Sequence, residues 1–267
     1  ERPSHKEIIV GFSGTKHPLQ LVDQVLNIAS KDYSIHKIKD AKVFGYFYDH
    51  YTMEFRNHLI DQLRLVSNSE NYKGYKVVFT GHSLGGALAT HATADAVLSK
   101  VLPNHNIHLY TFGQPRVGNI EFMNGFLNGV SEYYRVVHFK DTIPHLPPCI
   151  PDLSKGCFKE TLLFSMCPYH GPTEVFYQRQ MKSYKICSST QGEDNTCSNK
   201  IANTSKDDHL VYFGFEVGDL HEKSLIEHKT ELLESEKVVF QQEDSYEDSE
   251  DVDQLALKDK VHLLLQS

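Results

Sequence analysis

Residues 81–87 read Gly-His-Ser-Leu-Gly-Gly-Ala, directly after the apolar run Tyr75–Thr80 and directly before the alanine-rich helical pattern Ala87–Leu98. This is Gly-x-Ser-x-Gly in a strand–turn–helix setting, the sequence form of a nucleophile elbow. The turn is so tight that side chains two before and two after the serine would clash, hence Gly81 and Gly85. Ser83 stands at the apex with its hydroxyl pointing outward. A helix starting near Leu84 aims its first backbone N–H groups at that hydroxyl, where negative charge develops in acyl transfer. A chain with this feature is constrained to a strand feeding a helix across one face of a sheet.

At 267 residues, 40 % of them hydrophobic with 15 Phe and 14 Tyr, the chain has the makings of a buried core. No run approaches the ~20 apolar residues of a membrane span. The chain starts at Glu1 with no signal-peptide pattern and is therefore read as trimmed or processed. Charge is unevenly placed. Residues 229–267 carry 11 Asp and Glu against four Lys, a net of −7 out of −8, so the rest is close to neutral. That argues against a polyanion-binding surface such as one for nucleic acid, and the acidic end disfavours anionic lipid surfaces.

All five cysteines lie between Cys149 and Cys197, at successive spacings of 8, 10, 20 and 10 that match no standard zinc pattern. Cys187 and Cys197 flank a polar loop and form a candidate disulfide. Cys149, Cys157 and Cys167 leave one thiol over. With the acceptor triplet Asn203-Thr204-Ser205, a candidate glycosylation site, the clustered cysteines point to a secreted protein.

Strands are expected at Glu7–Phe12, Tyr75–Thr80, Ile107–Phe112 and Tyr133–Phe139, with helices at His50–Val66 and Leu84–Lys100. Near-continuous apolar strands alternating with helices imply an α/β fold whose mostly parallel central sheet is covered by helices on both faces. Pro144, Pro147, Pro148 and Pro151 mark an extended loop after Ile143. The division expected is a domain over residues 1–220 and an acidic, partly disordered tail over 221–267, with a short apolar helix in 253–267.

A serine nucleophile needs a histidine base, and the histidine needs a carboxylate. On such a sheet both come from loops at the carboxyl ends of strands. Asp141 closes the run Tyr133–Lys140 and precedes a stiff Pro-rich stretch, but by position alone a solvated loop aspartate is the favoured reading. Of the 16 histidines, His209 leads because it heads an apolar segment late in the chain; His170 is second. His82 must point elsewhere, and His138 reads as structural. Asp207 and Asp208 are rival acids, though too near His209 in sequence to turn back onto its ring. One oxyanion donor follows from the elbow, the N–H of Leu84. The other is sought at Gly11–Thr15, where Thr15 offers an N–H and a hydroxyl unless the segment is merely a strand-end turn.

Four segments together carry a resemblance: Gly81–Ala89; Tyr110–Asn119 (YTFGQPRVGN); Arg135 with Asp141–Pro148; and Asp208–Gly214 (DHLVYFG). In this order, over about Ile8 to Gly214, they resemble the class 3 lipases, the fungal-type triacylglycerol lipases, and the cysteine-rich stretch is similar to nematode members of that group. The resemblance implies an α/β-hydrolase fold, a triad of Ser83, Asp141 and His209, and an oxyanion hole of Thr15 and Leu84. It implies no metal or organic cofactor. It also implies a lid, here about Lys16–Ser30, that opens at a lipid–water interface. Three departures stand out. Ser13 replaces the usual Arg of the oxyanion strand, a section that members carry before Ile8 is expected to be missing, and the tail after about Leu220 has no counterpart.

The expected function is therefore a serine carboxylic-ester hydrolase, a triacylglycerol lipase acting through an acyl-enzyme on a lipid or other ester. The alternatives are a phospholipase A1 or feruloyl-type esterase on the same scaffold, or a non-catalytic lipid-binding or interaction protein.

Overall fold

The computed structural model describes residues 5–14, 32–103, 105–148 and 167–217. Thr15, the lid segment Lys16–Ser30, Cys149, Cys157, Pro151 and everything after residue 217, the expected tail included, lie outside the described residues.

Strand β1 (Glu7–Phe12) is followed by the short antiparallel pair β2 (Asp32–Ser34) and β3 (Lys42–Phe44). One helical rod then runs through α1 (Gly45–His50), a π turn (Tyr51–Phe55) and α2 (Arg56–Asn68). The expected helix His50–Val66 lies inside it. The π turn under-winds the rod by one residue, which keeps Tyr51 facing the core together with Leu59, Leu63 and Val66, while Met53 faces water.

Next come β4 (Lys76–His82), α3 (Leu84–Ser99), β5 (Ile107–Phe112), α4 (Ile120–Leu127) and β6 (Glu132–His138). Helix α4, unread in the sequence, starts at Asn119, whose side chain accepts the Phe122 N–H at 3.0 Å. After β7 (Glu174–Tyr177) and β8 (Tyr184–Ile186), the one-turn helix α5 (Asp207–Leu210) leads into the hairpin β9 (Val211–Tyr212) and β10 (Phe215–Glu216). These last five elements also escaped the periodicity, because each is four residues or fewer.

The main sheet runs β1-β4-β5-β6-β7-β8, with the first five strands parallel and β8 antiparallel at the edge. Its register aligns Phe12 with Gly81, His82 with Phe112, and Phe112 with Val136. The carboxyl ends of β1, β4, β5 and β6 therefore open at one edge. Helix α3 packs on β4, β5 and β1 and against α1 and α4. Ala87, Ala89, Ala92, Ala94 and Ala96 are all buried; small side chains on every side are what a helix enclosed by neighbours needs. Among the described residues, no helix is long and apolar enough to cross a membrane.

The stretch after Ile143 differs from the extended loop expected. Ile143–His145 forms a single 3₁₀ turn, because Asp141 Oδ1 accepts the Ile143 N–H at 2.9 Å and Pro144 is tolerated in a first turn. Cys187 and Cys197 are joined in a disulfide, and Cys167 is disulfide-bonded as well. The Cys187–Cys197 loop delivers Glu193 into the interior, where it meets Arg116 through two hydrogen bonds of 2.8 and 2.7 Å. Arg116 in turn donates to the carbonyls of Leu146 (from its backbone N–H, 2.7 Å) and Pro147 (from its side chain, 2.9 Å). His170 Nε2 lies 2.8 Å from the Pro144 carbonyl oxygen. The loop after Asp141 is thus held at three carbonyls, those of Pro144, Leu146 and Pro147. Asn203 is exposed.

Candidate active site

Ser83 joins β4 to α3 with φ 58° and ψ −125°, a conformation that costs a non-glycine residue of order 1–3 kcal/mol. The two elbow glycines have separate reasons. A Cβ on Gly81 would collide with the backbone of Gly85, whereas a Cβ on Gly85 would collide with the Phe12 carbonyl at the exit of β1. Gly14 completes that approach: a Cβ there would stand 2.9 Å from the His82 carbonyl and 3.4 Å from Ser83 Cβ. The β1 exit thus runs against the elbow, with Thr15 next in the chain but outside the described residues. Leu84 is the first residue of α3, so its N–H has no acceptor within the helix. The Ser83 N–H donates to the Phe112 carbonyl at 2.9 Å, fixing the elbow to β5.

The side chains of Ser83, His209 and Asp141 form one continuous line. His209 Nε2 is 2.8 Å from Ser83 Oγ, and Nδ1 is 2.9 Å from each carboxylate oxygen of Asp141. All three are buried. Asp141 follows β6, and its N–H donates to the His138 carbonyl. Burial alone would raise its pKa. The His209 ring, with its charge and hydrogen bond, then the Tyr212 hydroxyl and the Ile143 N–H, outweigh that and hold it below the usual carboxylate value. Such a group stays ionised and fixes the proton of the facing imidazole on Nδ1.

Several neighbours of this line were not legible as site residues. The Tyr212 hydroxyl donates to Asp141 Oδ2 at 2.6 Å; burial first, and then the Asp141 charge, push its pKa well above 10, so it remains a donor. Gly113 follows β5 with φ +55°, and a Cβ there would lie 2.6 Å from Asp141 Oδ2, 2.9 Å from the Tyr212 hydroxyl and 3.0 Å from His209 Nδ1. The FGQP segment carried the only hint of Gly113, a glycine at a strand exit. His82 turns away from the Ser83 hydroxyl and stacks on the His209 ring at 4.4 Å. His138, the last residue of β6, sets Nδ1 2.9 Å from the Asp208 carbonyl.

The rival residues go elsewhere. His170 is fully enclosed on the Pro144 carbonyl, and burial, then Arg135 and Arg116, push its pKa well below 6.5. Asp208 Oδ2 accepts the Lys140 N–H at 3.2 Å instead of reaching the His209 ring. Glu174, Cys187 and Cys197 group donor atoms of metal-binding type, but both sulfurs are committed to the disulfide.

Beside the elbow lies a row of aromatic rings at the carboxyl edge of the sheet. Phe112 meets Phe213 at 6.1 Å, Phe213 meets Tyr177 at 5.2 Å, and Tyr177 meets Tyr184 at 5.2 Å. Phe213, Phe215 and Tyr184 are each about half exposed, at 45 %, 56 % and 58 %.

Comparison with known proteins agrees with this architecture. The chain is 36 % identical to lipase ZK262.3 of Caenorhabditis elegans over 165 residues, 55 % of this chain and 47 % of that one. It is 31 % identical to the lipase of Rhizomucor miehei over 217 residues, 80 % of this chain and 54 % of that one. A solved triacylglycerol lipase whose catalytic centre is formed by a serine protease triad superimposes with a TM-score of 0.64 at 31 % identity, covering 80 % of this chain and 74 % of that one. The fold is the α/β-hydrolase fold of these lipases. The chain spans about half the length of the curated relatives it matches. The family described as Lipase (class 3) matches residues 9–150, more than half of the chain. By motif order, fold and this match, the chain belongs to the class 3 lipase family.

Proposed function

We propose that the protein is a serine carboxylic-ester hydrolase acting on lipid esters of the acylglycerol type. The observation that carries the reading is the unbroken line from Ser83 Oγ through His209 to Asp141 at a strained elbow. Ser83 Oγ attacks the ester carbonyl carbon while its proton passes to His209 Nε2. Asp141 holds the Nδ1 proton and stabilises the resulting imidazolium. The carbonyl oxygen takes up the negative charge and is met by the Leu84 N–H and by Thr15. Collapse of the tetrahedral species breaks the ester C–O bond, and the departing alcohol takes the proton from His209. Water, deprotonated by His209, then releases the fatty acid from the acyl-enzyme.

The half-exposed aromatic row next to Phe112 supports an apolar acyl chain over a small soluble ester. The disulfide and the exposed Asn203 favour an oxidising, extracellular setting. Hydrolysis of p-nitrophenyl esters from acetate to palmitate tests the substrate class. The expected profile peaks at medium or long chains. Turnover confined to acetate, or preference for soluble aromatic esters such as ferulates, would replace the lipid reading with a small-ester esterase.

Gly113→Ala tests the geometry from a residue that does no chemistry. The methyl must either push Asp141 and His209 apart or shift the β5 exit, and it forces an L side chain into φ +55°. A displacement of about 1 Å in such a relay costs on the order of 100-fold. Ester kcat should fall by about that factor, with unfolding easier by about 1–2 kcal/mol. A Gly113→Ala protein with wild-type kcat would show that the base and acid need not sit where they are described.

A further inference from the structure

His82 lies next to the nucleophile in sequence, but its side chain belongs spatially to the base. Its Nε2 is 3.0 Å from the His209 carbonyl oxygen, so Nε2 carries the proton and donates. Its ring lies against the His209 ring, centroids 4.4 Å apart and 29° from parallel, and also meets Tyr212 edge-on at 5.2 Å. Tyr212 is the residue that holds Asp141.

The element that carries His209 needs such support. Helix α5 is four residues long, far below the length at which a helix sustains itself. Its bonds to the turn before it are His209 N–H to the Lys206 carbonyl at 3.1 Å and the longer Asp208 N–H to Ser205 Oγ at 3.3 Å. The carbonyls of Asp208 and His209 are instead met by side chains from the sheet, His138 from the end of β6 and His82 from the end of β4. His82 is the shorter link, because the next residue is Ser83. The Ser83-to-His209 distance cannot change without breaking the His82 bond or unstacking the rings.

We propose that His82 is a positioning residue that registers the His209 turn against the nucleophile elbow through its bond to the His209 carbonyl, with the ring stack as packing beside it. This rests on the ester-hydrolase reading for its kinetic consequence, though not for the contact itself. A neutral ring serves this arrangement because His209 itself becomes cationic. Burial, and then the nearby His209, push the His82 pKa down to about 3, so the ring brings no charge against the imidazolium that forms on His209 during turnover.

Two variants separate the two contacts. His82→Gln keeps an N–H donor the same number of bonds from the backbone. His82→Phe keeps a ring face and loses the donor. In the full chain, His82→Phe should lower kcat for a p-nitrophenyl ester by about 10- to 100-fold with KM within about twofold, and His82→Gln should recover to within about threefold of wild type. The low-field NMR proton of the His209 Nδ1–H to Asp141 bond should broaden or vanish in His82→Phe and persist in His82→Gln. If His82→Phe does not fold, His82→Leu is read in its place. A donor-less variant with wild-type kcat and an unchanged His209 proton would overturn the proposal. So would a His82→Gln protein as slow as His82→Phe, which would make the residue mere packing. If wild type itself turns over no ester and takes up no fluorophosphonate, the ester-hydrolase reading fails, and the His209 proton in the same samples still decides the contact.

Discussion

Ser83→Ala is expected to reduce ester turnover by about 10⁶-fold, the scale on which a serine–histidine relay collapses when its nucleophile is removed. Stability should barely change. The hydroxyl is buried and bonded to His209, and alanine suffers the same strain as serine at φ 58°. Ser83→Gly sharpens the contrast: it should be equally inactive yet more stable, by about 1 kcal/mol or more, because glycine relieves the left-handed backbone. His209→Ala should lose activity on a similar scale. The comparison is made by initial rates and thermal unfolding on the same preparations, with a fluorophosphonate probe to count reactive serines. Retention of more than about one hundredth of wild-type activity by Ser83→Ala would remove Ser83 from the reaction.

Acid should unfold the protein well before most globular domains. His82, His91 and His145 are held to pKa values of about 3, 3 and 4, and His170 well below its ordinary value, in each case chiefly by burial. In the unfolded chain each returns to about 6.5. Below that value the unfolded state takes up protons that the folded state refuses. The stability these rings allow is whole above about pH 6.5 and is lost as pH falls, by up to about 1.4 kcal/mol per pH unit for each ring. Asp141, held below its ordinary value, acts in the same direction but lower, losing its contribution only as pH drops through the carboxylate range. Between pH 6.5 and 4.5 His82, His91 and His145 together amount to on the order of 5–8 kcal/mol, the size of a whole domain's stability, and His170 acts in the same direction. Calorimetry from pH 8 to 4 should show a nearly level Tm above pH 7 and a steep fall below 6.5. A Tm at pH 4.5 equal to that at 7.5 would mean that these rings are not buried neutral.

The elbow was readable because its pattern is local: Gly81, Ser83 and Gly85 lie within five residues. The sterics of the turn itself select Gly81, whereas Gly85 is required by the Phe12 carbonyl of β1, which the motif does not reveal. Strands β1 and β5 were readable to the residue and β4 and β6 nearly so, since continuous apolar runs state their own burial. The Cys187–Cys197 loop was readable from spacing and composition. Asp141 was visible as a strand-exit carboxylate, but its distinction from a solvated loop aspartate came from the resemblance and not from its position. Helix α4 and strands β7 to β10 were missed because short elements have too few periods to show a pattern.

What the sequence by itself determined is the local chemistry: a serine at a strained turn, an acid at a strand exit, a histidine late in the chain, and the class of sheet that carries them. Only the tertiary structure decided which groups converge. Asp141 meets His209 across 68 positions and Ser83 meets it across 126. Tyr212 reaches Asp141 across 71, and His82 reaches the His209 carbonyl across 127. Gly113 matters because three side chains from other segments occupy the space its Cβ would take. Periodicity and spacing report what a residue does to its near neighbours in the chain. Contacts of this range are set by strand order and by loops held on buried ion pairs, and no local pattern in the residues encodes them.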